Sequence, residues 1–201
     1  MSMSLHLVLH GLAVKKHADA VAIAEFAGIA PDAAAKFLAD AVARGRAVEA
    51  QGKFMLAPLS LVALAGEYSR EYAALRASAT LLAAYEAFER INVQLKGLIT
   101  DWQMIDVGGA RVPNTHSDRD YDVGVIDRLG ELHERADRIL TQLGRELPRF
   151  EYYRRHLLAA LERAEAGAIE WVSDARILSY HTVWFELHED LLRILGRQRS
   201  E

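Results

Sequence analysis

The sequence predicts a mainly α-helical protein, with a small helix-and-hairpin domain at the N-terminus and a bundle of longer helices in the remainder. Three observations predict this fold class. The 201 residues are rich in alanine and contain only 4 prolines, a composition that favours helix. Apolar residues recur every three or four positions through most of the chain, which is the period of a helix with one buried face. Strand-like runs flank Gly52, and Gly108-Gly109 marks a tight hairpin turn.

Short helices are predicted in the first 45 residues, over 4–16, 19–28 and 31–45. Asp19 and Pro31 suit helix starts, because aspartate accepts a hydrogen bond from a free backbone N–H and proline has no N–H to satisfy. Gly28 and Gly45 suit helix ends, because glycine readily adopts the left-handed conformation that closes a helix.

Strand-like runs over 46–51 and 53–57 follow the third helix, and a proline then begins a further helix. Three helices followed by a hairpin are the layout of a winged helix-turn-helix domain, whose third helix would enter the major groove of DNA. We therefore predict a winged-helix domain over residues 1–58 and a connecting helix over 59–78.

The predicted DNA-reading helix carries few residues that read DNA. Its outward face offers Asp32 and Asp40, which would face phosphate, and almost no arginine, asparagine or glutamine for base edges. Residues 1–75 hold 7 Lys/Arg and 7 Asp/Glu, without the positive excess typical of nucleic-acid binders. The candidate DNA-binding residues are the cations of the third helix and the hairpin: Lys36, Arg44, Arg46 and Lys53. The domain is therefore either a DNA reader or a surface for dimerisation or docking.

Longer helices are predicted over about 79–103, 120–144, 148–166 and 173–196. Short links between the last three make them antiparallel neighbours. Ser173 and Asp174 suit the start of the final helix, whose apolar stripe begins at Ile177. The sequence thus predicts an antiparallel four-helix bundle domain over residues 79–201.

Polar residues fall on the buried stripes of two bundle helices: Asn92 on the first, and His181 and His188 on the last. A buried polar group costs about 1–3 kcal/mol unless it is hydrogen-bonded, so each of these needs a partner. One hypothesis is a ligand pocket with aromatic walls and polar anchors, formed by Tyr85, Phe88, Asn92, Lys96, Trp102, Tyr180, His181, Trp184 and His188. The other is that the histidines bond to Asn92, Tyr85 or a backbone carbonyl and only fix the register of the bundle.

Several kinds of chemistry are not expected. The chain has 0 cysteines, which excludes disulfides and thiolate sites. A di-iron ExxH motif needs a glutamate three residues before the histidine, but Leu178 and Phe185 stand before His181 and His188. No nucleophile-elbow, Walker or dinucleotide-binding motif occurs, so we predict no catalytic residue of its own, no metal and no cofactor.

The remaining histidines are interpreted as structural. The run THSD at 115–118, which places His116 near Asp118, is expected to cap the helix that starts near Asp120. His6, His10 and His17 are expected to be capping or surface residues.

We expect a soluble cytoplasmic protein without a membrane partner. No apolar run reaches the ~18 residues that cross a bilayer. The basic residues near the N-terminus follow the apolar run, whereas those of a signal peptide precede it.

Two resemblances are carried by particular runs. The run AIAEFAGIAPDAAAKFLADAVARGRAVEAQGKFMLAP resembles the winged-helix core of bacterial regulators of the multiple-antibiotic-resistance type, over about residues 5–60. The runs LHLVLHGLAVKKH, NVQLKGLITDWQ and SYHTVWFELHEDLLR look like small actinobacterial proteins associated with phosphoenolpyruvate-utilising, dikinase-like systems. This second resemblance covers nearly the whole chain. The TSHxA phosphohistidine motif is absent and an ATP-grasp module could not fit, so it implies an accessory or substrate-binding subunit.

Three functional hypotheses follow. In the first, a homodimeric transcriptional regulator binds an operator, and its bundle senses a small ligand, expected to be aromatic. In the second, the chain is a subunit of a phosphoenolpyruvate- or ATP-dependent phosphotransferase, with the winged helix docking on the phosphotransfer enzyme. In the third, the polar residues of the bundle are purely structural.

Overall fold

The computed structural model of the chain describes residues 3–198. Within this range the protein is mainly helical, as predicted, and its strands are short. Contacts between Cα atoms divide the chain into two compact units: unit 1 takes the described part of residues 1–78 and 188–201, and unit 2 takes residues 79–187. None of the described helices combines the length and the apolar character needed to pass through a lipid bilayer.

Unit 1 combines short helices with a small antiparallel sheet. Its helices are α1 (Met3–Lys15), α2 (Ala20–Ala27), α3 (Pro31–Ala43), α4 (Pro58–Glu71) and α5 (Ala73–Arg76). Its strands are β1 (His17–Ala18), β2 (Ala47–Ala50) and β3 (Lys53–Leu56). Strand β3 lies between β1 and β2, and both pairings are antiparallel. The sequence does not predict β1, which pairs His17 with Met55 and Ala18 with Phe54.

Local signals end the elements of unit 1 where the sequence predicts. The carboxylate of Asp19 accepts a hydrogen bond from the Ala22 N–H at 2.9 Å and so caps α2. Gly28 closes α2 with a φ of 64°. The β2–β3 turn uses Gln51 and Gly52, whose φ values of 53° and 75° fit a two-residue hairpin turn. Buried apolar side chains of the first three helices fill the core between them: Leu9, Leu12, Ile23, Phe26 and Leu38.

Unit 2 is built from long helices and one hairpin. Its helices are α6 (Ala79–Gln103), α7 (Arg119–Glu146), α8 (Glu151–Glu165), α9 (Glu170–Ser173) and the first half of α10 (Tyr180–Leu195), and a 3-10 turn (Pro148–Phe150) precedes α8. The hairpin strands β4 (Met104–Val107) and β5 (Ala110–Pro113) pair antiparallel around Gly108-Gly109, as predicted.

The final helix begins later than the sequence predicts. Ser173 ends α9, and Asp174 forms a turn in which its carboxylate accepts a hydrogen bond from the Arg176 N–H at 2.8 Å. Ser179 provides the cap, because its hydroxyl accepts a hydrogen bond from the Thr182 N–H at 3.3 Å. The predicted cap was therefore wrong, and Ile177 precedes the helix.

The second half of α10 is grouped with unit 1, whereas the sequence places all of residues 79–201 in one domain. Polar contacts explain the grouping. The imidazole of His10 donates a hydrogen bond from Nε2 to the Asp190 carboxylate at 2.8 Å. The guanidinium of Arg76 donates to the Ile194 carbonyl at 2.7 Å. These bonds tie residues 188–195 to α1 and α5.

His6 and His10 are buried inside unit 1, with exposed fractions of 1% and 0%, so the expectation of surface residues was wrong for both. Each is hydrogen-bonded to a tyrosine of α4 or of the link that follows it. Nε2 of His6 lies 3.1 Å from the Tyr72 hydroxyl, and Nδ1 of His10 lies 2.8 Å from the Tyr68 hydroxyl. His17, by contrast, is exposed as expected.

Candidate ligand-binding site

Three residues of the predicted aromatic pocket pack against one another. The indole N–H of Trp184 donates a hydrogen bond to the Asn92 side-chain oxygen at 3.0 Å. The rings of Phe88 and Trp184 are stacked, with centroids 4.8 Å apart. Asn92 also donates to the Glu89 carboxylate at 3.2 Å. These contacts join α6 to α10 and agree with a structural role for Asn92 and Trp184.

Tyr180 adjoins this cluster, because its ring is stacked on Trp184 with the centroids 6.2 Å apart. Tyr85 is buried, and Lys96 is exposed on α6. The hydroxyl of Tyr180 is 3.2 Å from Nδ1 of His133, a buried histidine that the pocket hypothesis left out. His188 is buried and belongs to unit 1.

Two histidines of unit 2 have altered acidity. His181 is half-buried, and this burial lowers its pKa. Burial also lowers the pKa of His133, against the opposing effect of the Asp137 carboxylate. Both rings therefore favour the neutral form more than an exposed histidine does.

Two of the predicted DNA-binding cations form ion pairs within unit 1. Arg44 is exposed directly after the end of α3, but its Nε lies 2.8 Å from both carboxylate oxygens of Asp40. Arg46 is turned toward α4, where its Nη2 lies 3.4 Å from the Glu67 carboxylate. Lys36 on α3 and Lys53 on β3 are exposed.

Two clefts of unit 2 meet at His116. A cavity of about 420 Å³ lies between the N-terminal part of α7 and the end of α8. A neighbouring cleft of about 390 Å³ reaches Trp102 and α9. His116 and Ile169 line both. The first volume lies within the range of cavities that hold small organic ligands.

Asn114 fixes the loop that carries His116. Its side-chain oxygen accepts the His116 N–H at 2.9 Å, which sets the orientation of the amide. Its NH2 group donates to the Trp102 carbonyl at 3.1 Å and to the Asp122 carboxylate at 2.9 Å. Its backbone N–H donates to the Gln103 carbonyl at 2.8 Å, and its NH2 nitrogen also lies 3.2 Å from Nδ1 of His116. These contacts link the end of α6 to the start of α7.

The network also determines which nitrogen of His116 carries a proton. Nδ1 lies 3.1 Å from both oxygens of the Asp122 carboxylate, which is an acceptor. The Asn114 amide nitrogen also lies 3.2 Å from Nδ1, but its two protons are matched by the closer Trp102 and Asp122 oxygens, so Nδ1–H donates to Asp122. In a neutral ring, Nε2 is then left as a hydrogen-bond acceptor. Asp122 is only 5% exposed, so the pair is held inside the protein.

Packing holds the His116 ring as well. The rings of Trp102 and His116 have centroids 4.5 Å apart, at an interplanar angle of 37°. The backbone of His116 has a φ of 56°, in the left-handed region that costs energy for a residue with a side chain. A residue held in this conformation by a surrounding network is typical of functional sites.

The expectation that the run THSD caps α7 is confirmed, but His116 itself does not provide the cap. The cap of α7 is Asp118, whose carboxylate accepts the Tyr121 N–H at 3.1 Å. A signal for the site was present, because Asp122 lies three residues before Val125 and so extends the buried stripe of α7 by one turn. An aspartate at such a position needs a buried partner.

Comparisons with known proteins give no relative for this chain. Neither models of protein families, nor curated proteins, nor solved structures match it. The two resemblances inferred from the sequence therefore stay predictions.

Proposed function

We propose that the protein is a winged-helix regulator whose unit 2 binds a small organic molecule in the clefts beside His116. The observation that carries the ligand-binding part is the hydrogen-bonded set of Asn114, His116 and Asp122 at the junction of two clefts. A cleft with mainly apolar walls and a few oriented polar groups is the usual form of a small-molecule site.

The connectivity of unit 1 supports the winged-helix assignment. The order α1, β1, α2, α3, β2, β3, with β3 between the other strands, has the three helices and terminal hairpin of that fold. In such a domain α3 would enter the major groove and the hairpin would lie beside the DNA backbone. A regulator of this type would bind its operator as a homodimer.

We also assign unit 2 to a helical bundle of α6, α7, α8 and the first half of α10. Its support is the pair of bonds that bring α10 to the other helices, from Trp184 to Asn92 and between Tyr180 and His133. In this assignment the clefts lie near the β4–β5 hairpin end of α6.

Selection from a library of random DNA duplexes tests the regulator. We expect a particular sequence to be enriched, and its binding to weaken as salt is raised. The double variant Lys36→Glu with Arg44→Glu should bind the enriched duplex about tenfold more weakly or worse, because it places negative charge at the phosphates. Binding is measured by fluorescence anisotropy.

A charge-matched variant controls for the change in net charge. Arg90→Glu with Arg135→Glu makes the same change at exposed positions of α6 and α7, and should bind the duplex like the wild type. If no sequence is enriched, or if both double variants bind equally well, α3 is not a DNA reader.

The ion pairs of Arg44 and Arg46 in unit 1 favour a second candidate function. Because Arg44 is bound to Asp40 and Arg46 to Glu67, the surface of α3 and the hairpin is less positive than its composition suggests. Such a surface suits docking on a protein. In this candidate the chain is a non-catalytic subunit of a phosphoenolpyruvate- or ATP-dependent phosphotransferase, and the purified complex would have an activity that the isolated chain lacks.

A further inference from the structure

The larger cleft presents more hydrogen-bond acceptors than donors. The neutral His116 ring offers Nε2 as an acceptor, because its Nδ1–H donates to Asp122. Asp127 and Glu165 add carboxylates to the lining, and Arg119 is the charged donor among the residues that line it. A ligand that supplies N–H groups complements this arrangement better than one that accepts hydrogen bonds.

The charges are also separated along the cleft. Arg119 is the first residue of α7 and Asp127 follows eight residues later, which places them about 12 Å apart along the helix axis. Glu165 lies near the same end as Asp127, because its carboxylate oxygen would be 3.5 Å from a Cβ added at Gly130.

Apolar residues line the cleft between these charges. Val123 and Ile126 come from α7, Ala164 from α8, and Ile169 from the segment that leads into α9. They can bury the hydrocarbon part of a small molecule, which contributes roughly 25 cal/mol for each Å² of apolar surface removed from water.

We infer that the cleft binds an organic ammonium ion, with its N–H groups accepted by His116, Asp127 or Glu165 and its hydrocarbon part on the apolar wall. This inference rests on the proposed ligand-binding function and names its ligand class. Asp122 accepts from Nδ1–H and so leaves Nε2 of the neutral His116 ring as the acceptor.

Three probes with the same aromatic ring test the inference: 2-phenylethylamine, 2-phenylethanol and 3-phenylpropanoate. Their polar ends are cationic, neutral and anionic. Binding to the full chain is measured by titration calorimetry, and the imidazole NMR signals of His116 report whether the probe enters this cleft. We expect the amine to bind about fivefold more tightly than the alcohol or better, and the carboxylate to bind most weakly.

Matched variants assign the preference to the cleft. Asp127→Asn with Glu165→Gln removes two charges and should bring the affinity of the amine to that of the alcohol. Glu131→Gln with Glu162→Gln removes two charges from exposed positions of the same helices, outside the lining, and should keep the preference.

Each other outcome overturns the inference in a distinguishable way. If the alcohol or the carboxylate shifts the His116 signals and binds as tightly as the amine, the ammonium class is wrong and the small-molecule site stands. If none of the three shifts them at about 10 mM, the inference fails together with the cleft, and the duplex selection decides separately whether unit 1 reads DNA.

Discussion

Replacement of Asp190 by alanine is expected to lower the free energy of unfolding by about 1.5–3 kcal/mol, the range for losing a hydrogen bond to a charged group. The side chains of Asp190 and His10 both have an exposed fraction of 0%. His10 contacts the Asp190 carboxylate through Nε2 and the Tyr68 hydroxyl through Nδ1, each at 2.8 Å. Alanine would leave Nε2 of His10 inside the protein without this acceptor.

Urea denaturation followed by circular dichroism measures the loss of unfolding free energy in Asp190→Ala. Asp190→Asn keeps the shape and an oxygen acceptor, so it should cost less than Asp190→Ala. Glu71→Ala removes an exposed carboxylate at the end of α4 and should stay within about 0.5 kcal/mol of the wild type. An Asp190→Ala protein as stable as Glu71→Ala would show that the His10 pair does not hold α10 to unit 1.

Trp184→Ala is expected to cost about 3–5 kcal/mol of stability, the range for truncating a buried aromatic residue. Trp184 is 3% exposed, and its ring is stacked on Phe88. Its loss would open a cavity and also leave the oxygen of Asn92 without the indole donor. The substitution should therefore lower the stability of the fold, as expected if Asn92 and Trp184 have a structural role.

A more conservative substitution separates packing from hydrogen bonding. Trp184→Phe keeps an aromatic ring against Phe88 and removes the N–H, so we expect a loss of about 1–3 kcal/mol from the unsatisfied Asn92. Val93→Ala serves as the control, because Val93 follows Asn92 on α6 and is 69% exposed. Thermal denaturation of the three variants gives the order of their stabilities. If Trp184→Ala instead unfolds like the wild type and binds small apolar molecules, the pocket hypothesis regains its support.

Local signals in the sequence predicted most element bounds. The long apolar stripe of α6 predicted residues 79–103 without error, and Asp19 and Gly28 bounded α2 correctly. These features depend on residues a few positions apart, which the sequence displays directly.

The start of α10 was mispredicted because two segments offered a cap. Ser173 and Asp174 are both suitable cap residues. The Asp174 carboxylate instead accepts hydrogen bonds from Arg176, and the Ser179 hydroxyl accepts the Thr182 N–H at the start of α10. Local chemistry alone does not choose between two such caps.

The buried polar groups depended on partners far away in the sequence. His10 and Asp190 are 180 residues apart, so neither shows that the other will satisfy it. The candidate site was missed for a related reason, since Asn114, His116 and Asp122 fall partly in a loop without periodicity. Only the structure shows that β4 and β5 return the chain to the end of α6 and bring His116 against Trp102.

The tautomer of His116 tests the central claim most directly, because the site depends on an Nε2 that accepts hydrogen bonds. A long-range proton–nitrogen NMR correlation spectrum of the full chain distinguishes the two ring nitrogens, and the His116→Gln variant assigns the signals. In the neutral ring we predict a proton on Nδ1 and none on Nε2, with this state lost in Asp122→Ala, which removes the acceptor, and kept in Asp120→Ala. A proton on Nε2, or a mixture of both tautomers, would contradict the account.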